Sequence, residues 1–567
     1  MSVRWFLLLG LLAIYEVSVT SSAHGEPPPR RWLYLQQNLQ VAENLPKIEA
    51  LLRRAAKVGY NGVVLADYKL NILDRVPDHY FRNAERFKAV CRELQLEIIP
   101  TVTPFGYSAG ILAHDPNLAE ALPVKNSPFS VQDDVALPAN GNKDLVPGEF
   151  EEYKGHELAN WRFQDEAGTG TYVDTEIKHG GLAALRIEKG TGTAGNRRIN
   201  KRLPCRRWTQ FHASVWIRTQ DFEAAESTRM FAMNPEGRVL SFSNLGVQRN
   251  QDWTQHHIVF NSLDGDYIQF YAGVWGCEGG KLWMDDLRLV EEPFVNLVRR
   301  PGCPLVVQNQ DGTTTYEEGR DYSPLADPGL GTTPYPGDFN VYHLPPQLKF
   351  PKGSRIKHGQ KLQVSFYHAV TIYNDQVPCS LSEPKVFEIV EDQVRRIQKL
   401  FEPRTFFLSH DEIRVANWSQ PEQQAGQTAG QVLAENVRKC VKIIRQINPQ
   451  SRLCIWSDMF DPHHNAEKEF YLVHGDLTGS WEGLPADMSV INWNSGKAAK
   501  SLPFFAKRGH SQVLAGYYDG APEDIRRWQA EGKGLKGIDG AMYTTWKSNF
   551  ADLEKFAEAA WGGAGAK

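Results

Sequence analysis

The chain has 567 residues, of which 41% are hydrophobic and 23% charged, with a net charge of −4. These proportions exclude a disordered or fibrous protein, and the near-neutral balance argues against the basic face with which nucleic-acid binders hold phosphates. The length allows three or four domains' worth of chain, or one large barrel with additions. Aromatic residues make up 11%, with 15 Trp and 20 Tyr; beyond their use in cores, flat rings stack on the C–H faces of pyranose sugars.

A short basic start ending at Arg4 precedes an apolar run from Trp5 to Val19, broken by Glu16, and then small residues from Thr20 to Ala23. This is the layout of a secretory signal peptide, so residues 1–23 are expected to be removed and the rest to be secreted or periplasmic. The apolar run is shorter than the ~20 residues of a membrane span, and no later segment reaches that length, so no span is expected after cleavage. Seven cysteines (91, 205, 277, 303, 379, 440 and 454) include no Cys-x-x-Cys pair, so spacing defines no zinc site. Cys205 with Cys277 is the first disulfide to consider in an exported chain. Cys91, Cys440 and Cys454 fall in helix or strand patterns and read as small core residues.

In chain order, residues 32–38 read as a strand and 45–58 as an amphipathic helix stopped by Gly59. A second strand at 62–68, a helix at 78–94 and a third strand at 96–104 follow. Val, Ile and Leu runs spaced by amphipathic helices indicate parallel strands buried on both faces. The alternation resumes near 383, with helices at 383–400 and 430–447 and strands at 405–410, 452–456, 488–493, 511–517 and 540–546, before a closing helix at 553–561. Three strands and five make the eight that close a (β/α)8 barrel. No Gly-rich dinucleotide turn follows the first strand, which disfavours the open doubly wound sheet. The predicted fold class is therefore α/β: a (β/α)8 TIM barrel, interrupted after strand 3 by a large all-β, jelly-roll-like insertion.

The interruption, residues 109–382, is too long for a βα loop and must fold on its own account. Short strands at 171–174, 185–187, 211–217, 254–260, 267–271 and 282–289, separated by polar turns, predict a two-sheet sandwich. The expected organisation is a first barrel part at 24–108, the sandwich at 109–294, a second β-rich insert at 295–382 and a second barrel part at 383–567. From Asn160 and Trp161 to the run Leu282, Trp283, Met284, Asp285, Asp286, the sandwich resembles jelly-roll carbohydrate-binding modules. Its tryptophans, Trp161, Trp208, Trp216, Trp253, Trp275 and Trp283, are expected mostly in the core, with one or two at a rim able to hold a glycan.

A barrel of this kind carries its active site where the strands end. The predicted ends hold Gln36, Gln37 and Asn38 (strand one), Asp67 and Tyr68 (two), the Pro104–Tyr107 turn (three), His410, Asp411 and Glu412 (four), Trp456 and Asp458 (five), Trp493 and Asn494 (six), Tyr517, Tyr518 and Asp519 (seven) and Trp546 and Lys547 (eight). Acids mixed with flat rings suit acetal cleavage, which needs a proton donor to the leaving oxygen and an anion near the oxocarbenium-like centre. Asp411 and Glu412 are the expected catalytic pair. Neighbours in a regular strand face opposite ways, but that restriction relaxes where pairing stops. Two close acids repel, and apolar walls such as Trp456 would raise the pKa of one.

The segment from Phe407 through His410, Asp411 and Glu412 to Ile413 resembles the fourth-strand motif of glycoside hydrolase family 20, the β-N-acetylhexosaminidases. The later Trp456, Asp458, Trp493, Tyr517, Tyr518, Asp519 and Trp546 are similar to that family's aromatic and acidic positions in order. The resemblance implies Glu412 as acid/base and Asp411 as the residue that orients a 2-acetamido group whose oxygen attacks the anomeric carbon. It also implies Trp456, Trp493 and Trp546 as sugar walls, Tyr517 or Tyr518 on the acetamido oxygen and Asp519 on hydroxyls. Ser409 and His410 stand where the family has glycines. No arginine ends strand one, and strand eight lacks the family's glutamate. A non-acetylated substrate would need a second carboxylate, with Asp458 or Asp519 as candidates.

The expected substrate-binding set is thus His410, Trp456, Asp458, Trp493, Asn494, Tyr517, Tyr518, Asp519, Trp546, Asp67 and Tyr68. The expected partner is an oligosaccharide, polysaccharide or glycoconjugate, with no nucleic acid. Asp461, His463 and His464 are of metal-ligand type but read as a polar loop, so no metal and no cofactor is expected. The rival to hydrolysis is a glycan-binding protein that keeps the barrel as a scaffold.

Overall fold

Eight parallel strands close on one another in the computed structural model, which describes residues 29–563 apart from 142, 147–149, 191–194 and 224. The expected signal segment, residues 1–23, lies outside the described residues. In barrel order the strands are Arg30–Leu35, Gly62–Leu65, Glu97–Val102, Thr405–Leu408, Arg452–Trp456, Ser489–Asn492, Gln512–Tyr517 and Ile538–Thr544, the last pairing with the first. Alternation along each strand makes two cores. One set points inward and fills the barrel, including Tyr34, Val64, Ile99, Phe407, Trp456, Ile491, Val513 and Met542. The other points outward against the helices, including Leu33, Val63, Phe406, Leu408, Ile455 and Tyr543.

The helices form where apolar residues recur at helical spacing. Asn44–Lys57 buries Leu45, Ile48, Leu51, Leu52 and Ala55 on one face, the stripe expected of a helix against a sheet. Ala429–Ile447 starts on a capping box in which Thr428 and Gln431 satisfy each other's backbone amides, closing two otherwise unpaired donors. Asp78–Glu93, Pro384–Phe401, Ala498–Lys507, Ile525–Glu531 and Leu553–Trp561 follow strands two, three, six, seven and eight.

The predicted fold class is corrected in two respects. Between strands five and six the described residues contain only the 3-10 turns Asp458–Phe460 and Ser480–Gly483 and a two-residue strand, with no α-helix. Antiparallel strands far outnumber helices as the regular structure between strands three and four. An α/β chain organised as a (β/α)8 TIM barrel therefore does not describe this protein: a closed parallel barrel is joined to extensive antiparallel structure.

That structure has three parts. A five-stranded sheet (Gln251–Asn261, Gln210–Gln220, Lys281–Glu291, Ala184–Glu188, Thr171–Asp174) faces a four-stranded one (Thr228–Met233, Tyr267–Cys277, Gly195–Pro204, Phe163–Gln164) across a common core that includes Leu185, Ile199, Phe211, Ile217, Phe270 and Leu289. A seven-stranded sheet takes Leu122–Gln132 and Val135–Pro138 from before the sandwich and Lys361–His368 with four short strands from after it. The sandwich is thus threaded into that sheet, and the expected boundary at 294/295 separates its strands in sequence but not in space. All seven cysteines are free. Cys277 pairs with Gly195 at one end of the long antiparallel ladder, and Cys205 follows Pro204 at the other, so they cannot approach within disulfide reach. Of the six insertion tryptophans only Trp283 is buried; the other five keep part of their surface exposed.

Candidate functional site

Strand parity decides what enters the barrel mouth. Phe407 points inward, and two further steps bring Asp411 to the same side, while Phe406, Leu408 and therefore His410 point outward. Glu412 would follow His410, but its φ of 48° puts it in the left-handed region, uncommon for a residue with a side chain, and redirects the chain. The two adjacent carboxylates can then both serve the mouth. Gly106 permits the close approach: a Cβ there would lie 1.9 Å from the Asp411 carbonyl oxygen.

The acids occupy unequal environments. Asp411 is surrounded by protein yet keeps some exposure. Burial, then the charges of Asp458 and Glu412, push its pKa up to about 8. Asp458 is fully buried, and its Oδ2 accepts the Glu412 amide at 2.8 Å and Asn465 Nδ2 at 2.9 Å. Burial raises the Asp458 pKa too, opposed by His464, the Glu412 amide and a hydrogen bond from Trp493. Asp411 has no such side-chain donors among the described residues, so burial and the neighbouring negative charges favour its protonated form. Glu412 is held by Arg414 at 2.6 Å on Oε1 and by the Tyr107 hydroxyl, which donates to Oε2 at 2.5 Å.

Rings from five strands close around these acids. Tyr34 lies 5.5 Å from both Trp456 and Trp546, and Tyr518 lies 5.6 Å from Trp546. Trp493 stacks on Tyr518 at 5.9 Å and meets His464 edge-on at 4.6 Å. Trp456 is buried at the floor, whereas Trp546 is 45% exposed at the rim. The Tyr518 hydroxyl is buried without a hydrogen-bond partner among the described residues. Burial raises the Tyr518 pKa, and the charges of Asp458, Asp411 and Glu412 add to it. A buried donor beside carboxylates and lacking an acceptor marks a place for a polar ligand group.

The structure therefore brings together Asp411, Glu412, Trp456, Asp458, Trp493, Tyr518 and Trp546. It leaves the other expected residues elsewhere. His410 bonds Asn436 at 2.9 Å in the helix layer, where burial lowers its pKa to about 4. Asp67 is buried, accepting the Leu39 and Lys69 amides and the Tyr80 hydroxyl. Tyr68 is exposed beneath the Lys69 ammonium. Asn494 keeps the outward parity of Asn492. Tyr517, with φ of 81°, turns out to stack on Tyr543 at 4.4 Å. Asp519 accepts from the Thr545 hydroxyl at 2.5 Å and the Trp546 and Lys547 amides at 3.0 and 3.3 Å, so it clamps the Trp546 loop. The Asp461 carboxylate caps its own loop through the His463 amide.

Four partners escaped sequence reasoning. Tyr34 lies within strand one, before the expected strand end, and only its inward parity signals it. Arg414 lies between Tyr373 and Tyr471, at 5.3 and 5.0 Å from their ring centres, and bonds Gln376 Oε1. Gln376 also donates to the Glu412 carbonyl at 2.8 Å and the Gly106 carbonyl at 3.1 Å. Tyr373 and Gln376 belong to the end of the long insertion, and no local pattern ties them to strand four.

No protein-family model matches the chain, and no curated protein matches it in sequence. Among solved structures, it is similar to the CBM22-1 xylan-binding domain of Paenibacillus barcinonensis Xyn10C, with 13% identity and a TM-score of 0.20 over 25% of this chain and 90% of that one. It is similar to TmCBM61 in complex with beta-1,4-galactotriose, with 15% identity and a TM-score of 0.18 over 27% and 100%. The rhamnosidase from Novosphingobium sp. PP1Y matches with 9% identity and a TM-score of 0.33 over 91% of this chain, which spans 55% of that protein. These neighbours are carbohydrate-active proteins, and none is described as a β-N-acetylhexosaminidase. Likeness at these levels assigns the chain to no family.

Proposed function

We propose that the barrel mouth hydrolyses glycosidic bonds, with Asp411 as proton donor and Glu412 as the carboxylate facing the anomeric centre. The observation that carries this reading is the contrast between the acids: burial beside Asp458 and Glu412 pushes the Asp411 pKa up to about 8, while Glu412 is ion-paired with Arg414. A glycosidase needs one carboxyl that gives a proton to the leaving oxygen and one that stabilises positive charge or activates water. In the proposed reaction Asp411 protonates the departing oxygen as the bond to the anomeric carbon breaks. Water then supplies the hydroxyl to that carbon, and its other proton returns to the enzyme. Tyr34, Trp456, Trp493, Tyr518 and Trp546 would offer flat faces to the ring, and the unpartnered Tyr518 hydroxyl a donor to one of its polar groups.

The family-20 resemblance gives the acid/base role to Glu412 and leaves Asp411 to orient an acetamido group. The engagement of Glu412 by Arg414 and Tyr107 favours the opposite division. Aryl glycosides with and without a 2-acetamido group, each with a poor and an activated leaving group, test both. Asp411→Asn is expected to lose about 10²–10⁴-fold in kcat on poor leaving groups and much less on activated ones, which need no proton. Glu412→Gln is expected to lose turnover on both. Full activity of Asp411→Asn on a poor leaving group would end this assignment, and binding without turnover of any glycoside would favour the glycan-binding scaffold.

A further inference from the structure

The outer face of the four-stranded sheet carries a row of rings that the barrel mouth does not use. Across the sheet, Phe163 pairs with Asn200, Asn200 with Tyr271, and Tyr271 with Phe231. Directly paired residues share a face. The neighbouring row of Ile199, Ala272 and Met230 points into the sandwich core, so the ring row points out of it. Tyr271 lies 4.9 Å from Phe231 and nearly parallel to it, 6.0 Å from Phe163, and Trp275 extends the row 5.2 Å beyond Phe231. All four rings keep part of their surface exposed. Under the row, Asn200 is buried and its Oδ1 has no partner among the described residues.

Cations flank the rings on both sides. Two residues along the strands and so on the same face, Arg198 and Arg229 stand across Gly273, which leaves no side chain between them. Two residues the other way, Arg202 is exposed over the Tyr267 ring at 3.6 Å. Arg198 is paired with Asp165, but Arg202 and Arg229 form no ion pair among the described residues. This local positive charge runs against a net charge of −4. The face also leads to the barrel mouth. Beyond the strand Thr228–Met233, Phe242 bridges to Ile372 and packs on Tyr471 at 4.6 Å, and Tyr471 and Tyr373 flank the Arg414 that holds Glu412.

We propose that this face binds an anionic polysaccharide, its sugar rings on Phe163, Tyr271, Phe231 and Trp275 and its carboxylates or sulfate esters on Arg202 and Arg229. Rings supply apolar contact to pyranose faces, and unpaired guanidiniums supply the counter-charge that neutral glycans lack. The choice of a glycan over another polyanion rests on the glycosidase reading of the adjoining mouth; the binding measurement does not.

Native affinity electrophoresis of the full chain against polygalacturonate, a sulfated galactan, a neutral galactan and oligothymidylate tests it, with the first two separating carboxylate from sulfate recognition. Retardation by at least one acidic polysaccharide, weakening with salt, is expected. Phe231→Ala and, separately, the exposed double substitution Arg202→Gln with Arg229→Gln should each weaken it about tenfold. Phe231→Ala should leave turnover of a small aryl glycoside unchanged, and Asp411→Asn should bind like the parent. Equal retardation by the neutral galactan, preference for oligothymidylate, no retardation by any polymer, or no effect of either set of substitutions would overturn the proposal. Loss of the glycosidase reading would show separately, as absent turnover with polymer binding intact.

Discussion

A carboxyl at position 411 loses hydration without gaining side-chain donors among the described residues, whereas Asp458 accepts from the Glu412 amide and from Asn465. Part of what keeps Asp411 protonated is therefore the negative charge of Asp458. Asp458→Asn removes that charge while its amide oxygen can still accept the Glu412 N–H, so the left-handed turn at Glu412 keeps its brace. The sign follows directly: with the neighbouring anion gone, Asp411 releases its proton at lower pH. The alkaline limb of kcat/KM should move acidward by about one pH unit. An unchanged limb would show that Asp411 is not the group whose proton the reaction needs. At this scale the acids and most of the rings were legible from residue type at strand ends. His410, Asp67 and Asn494 were misplaced because strand ends were read as sets; following inward and outward parity from Phe407, Val64 and Ile491 would have turned all three away from the mouth.

Strand seven ends in three consecutive residues with positive φ, Tyr517, Tyr518 and Asp519, at 81°, 49° and 59°. Each is disfavoured for a side-chain-bearing residue, so bonds beyond the turn must hold it. Tyr517 accepts from Asn549 Nδ2 at 2.9 Å, and Asp519 accepts from the hydroxyl and two amides of the Trp546 loop. The turn reverses parity, sending Tyr517 to the helix layer and Tyr518 to the acids, and it ties the rim tryptophan to strand seven. Asp519→Ala removes all three acceptor contacts. It should cost about 1–3 kcal/mol in urea unfolding and raise KM more than it lowers kcat, because Trp546 loses its anchor while the acids stay in place. Asp519→Asn, which keeps one acceptor oxygen, should fall between. A fall in kcat with KM unchanged would instead place Asp519 at the reacting bond. No sequence pattern announces such a turn, since none of its residues is glycine.

At the scale of the whole chain, the eight barrel strands and six of the sandwich strands were legible from local periodicity, but Phe163–Gln164, Gly195–Pro204 and Thr228–Met233 and the joints between the parts were not. The seven-stranded sheet pairs Leu122–Gln132 with Lys361–His368, segments more than two hundred residues apart that only folding brings together. The same holds for the hub where insertion meets barrel. Arg300 donates to the Asn117 and Ala119 carbonyls at 2.9 and 2.5 Å and lies 3.8 and 3.7 Å from Glu120 and Glu383. It thereby links the exit from strand three, the middle of the insertion and the return to the barrel. Glu120 is fully buried, and burial with the Glu422 charge pushes its pKa up to about 8 against the pull of Arg300. Because this pKa stands above that of the unfolded chain, the folded state holds the extra proton between the two values, and stability falls as pH rises through that window. Arg300→Met removes a cation that lowers the Glu120 pKa, so Glu120 resists ionisation further and the penalty extends to higher pH. The substitution should cost about 3–5 kcal/mol, seen as a fall in melting temperature that is larger at pH 9 than at pH 5. Adding Glu120→Gln should recover more of the loss at pH 9 than at pH 5, since it removes the charge but leaves the Asn117 and Ala119 carbonyls unpaired. An equal loss at both pH values would mean that Arg300 acts through those carbonyls alone and that the buried carboxyl takes no part in holding insertion to barrel.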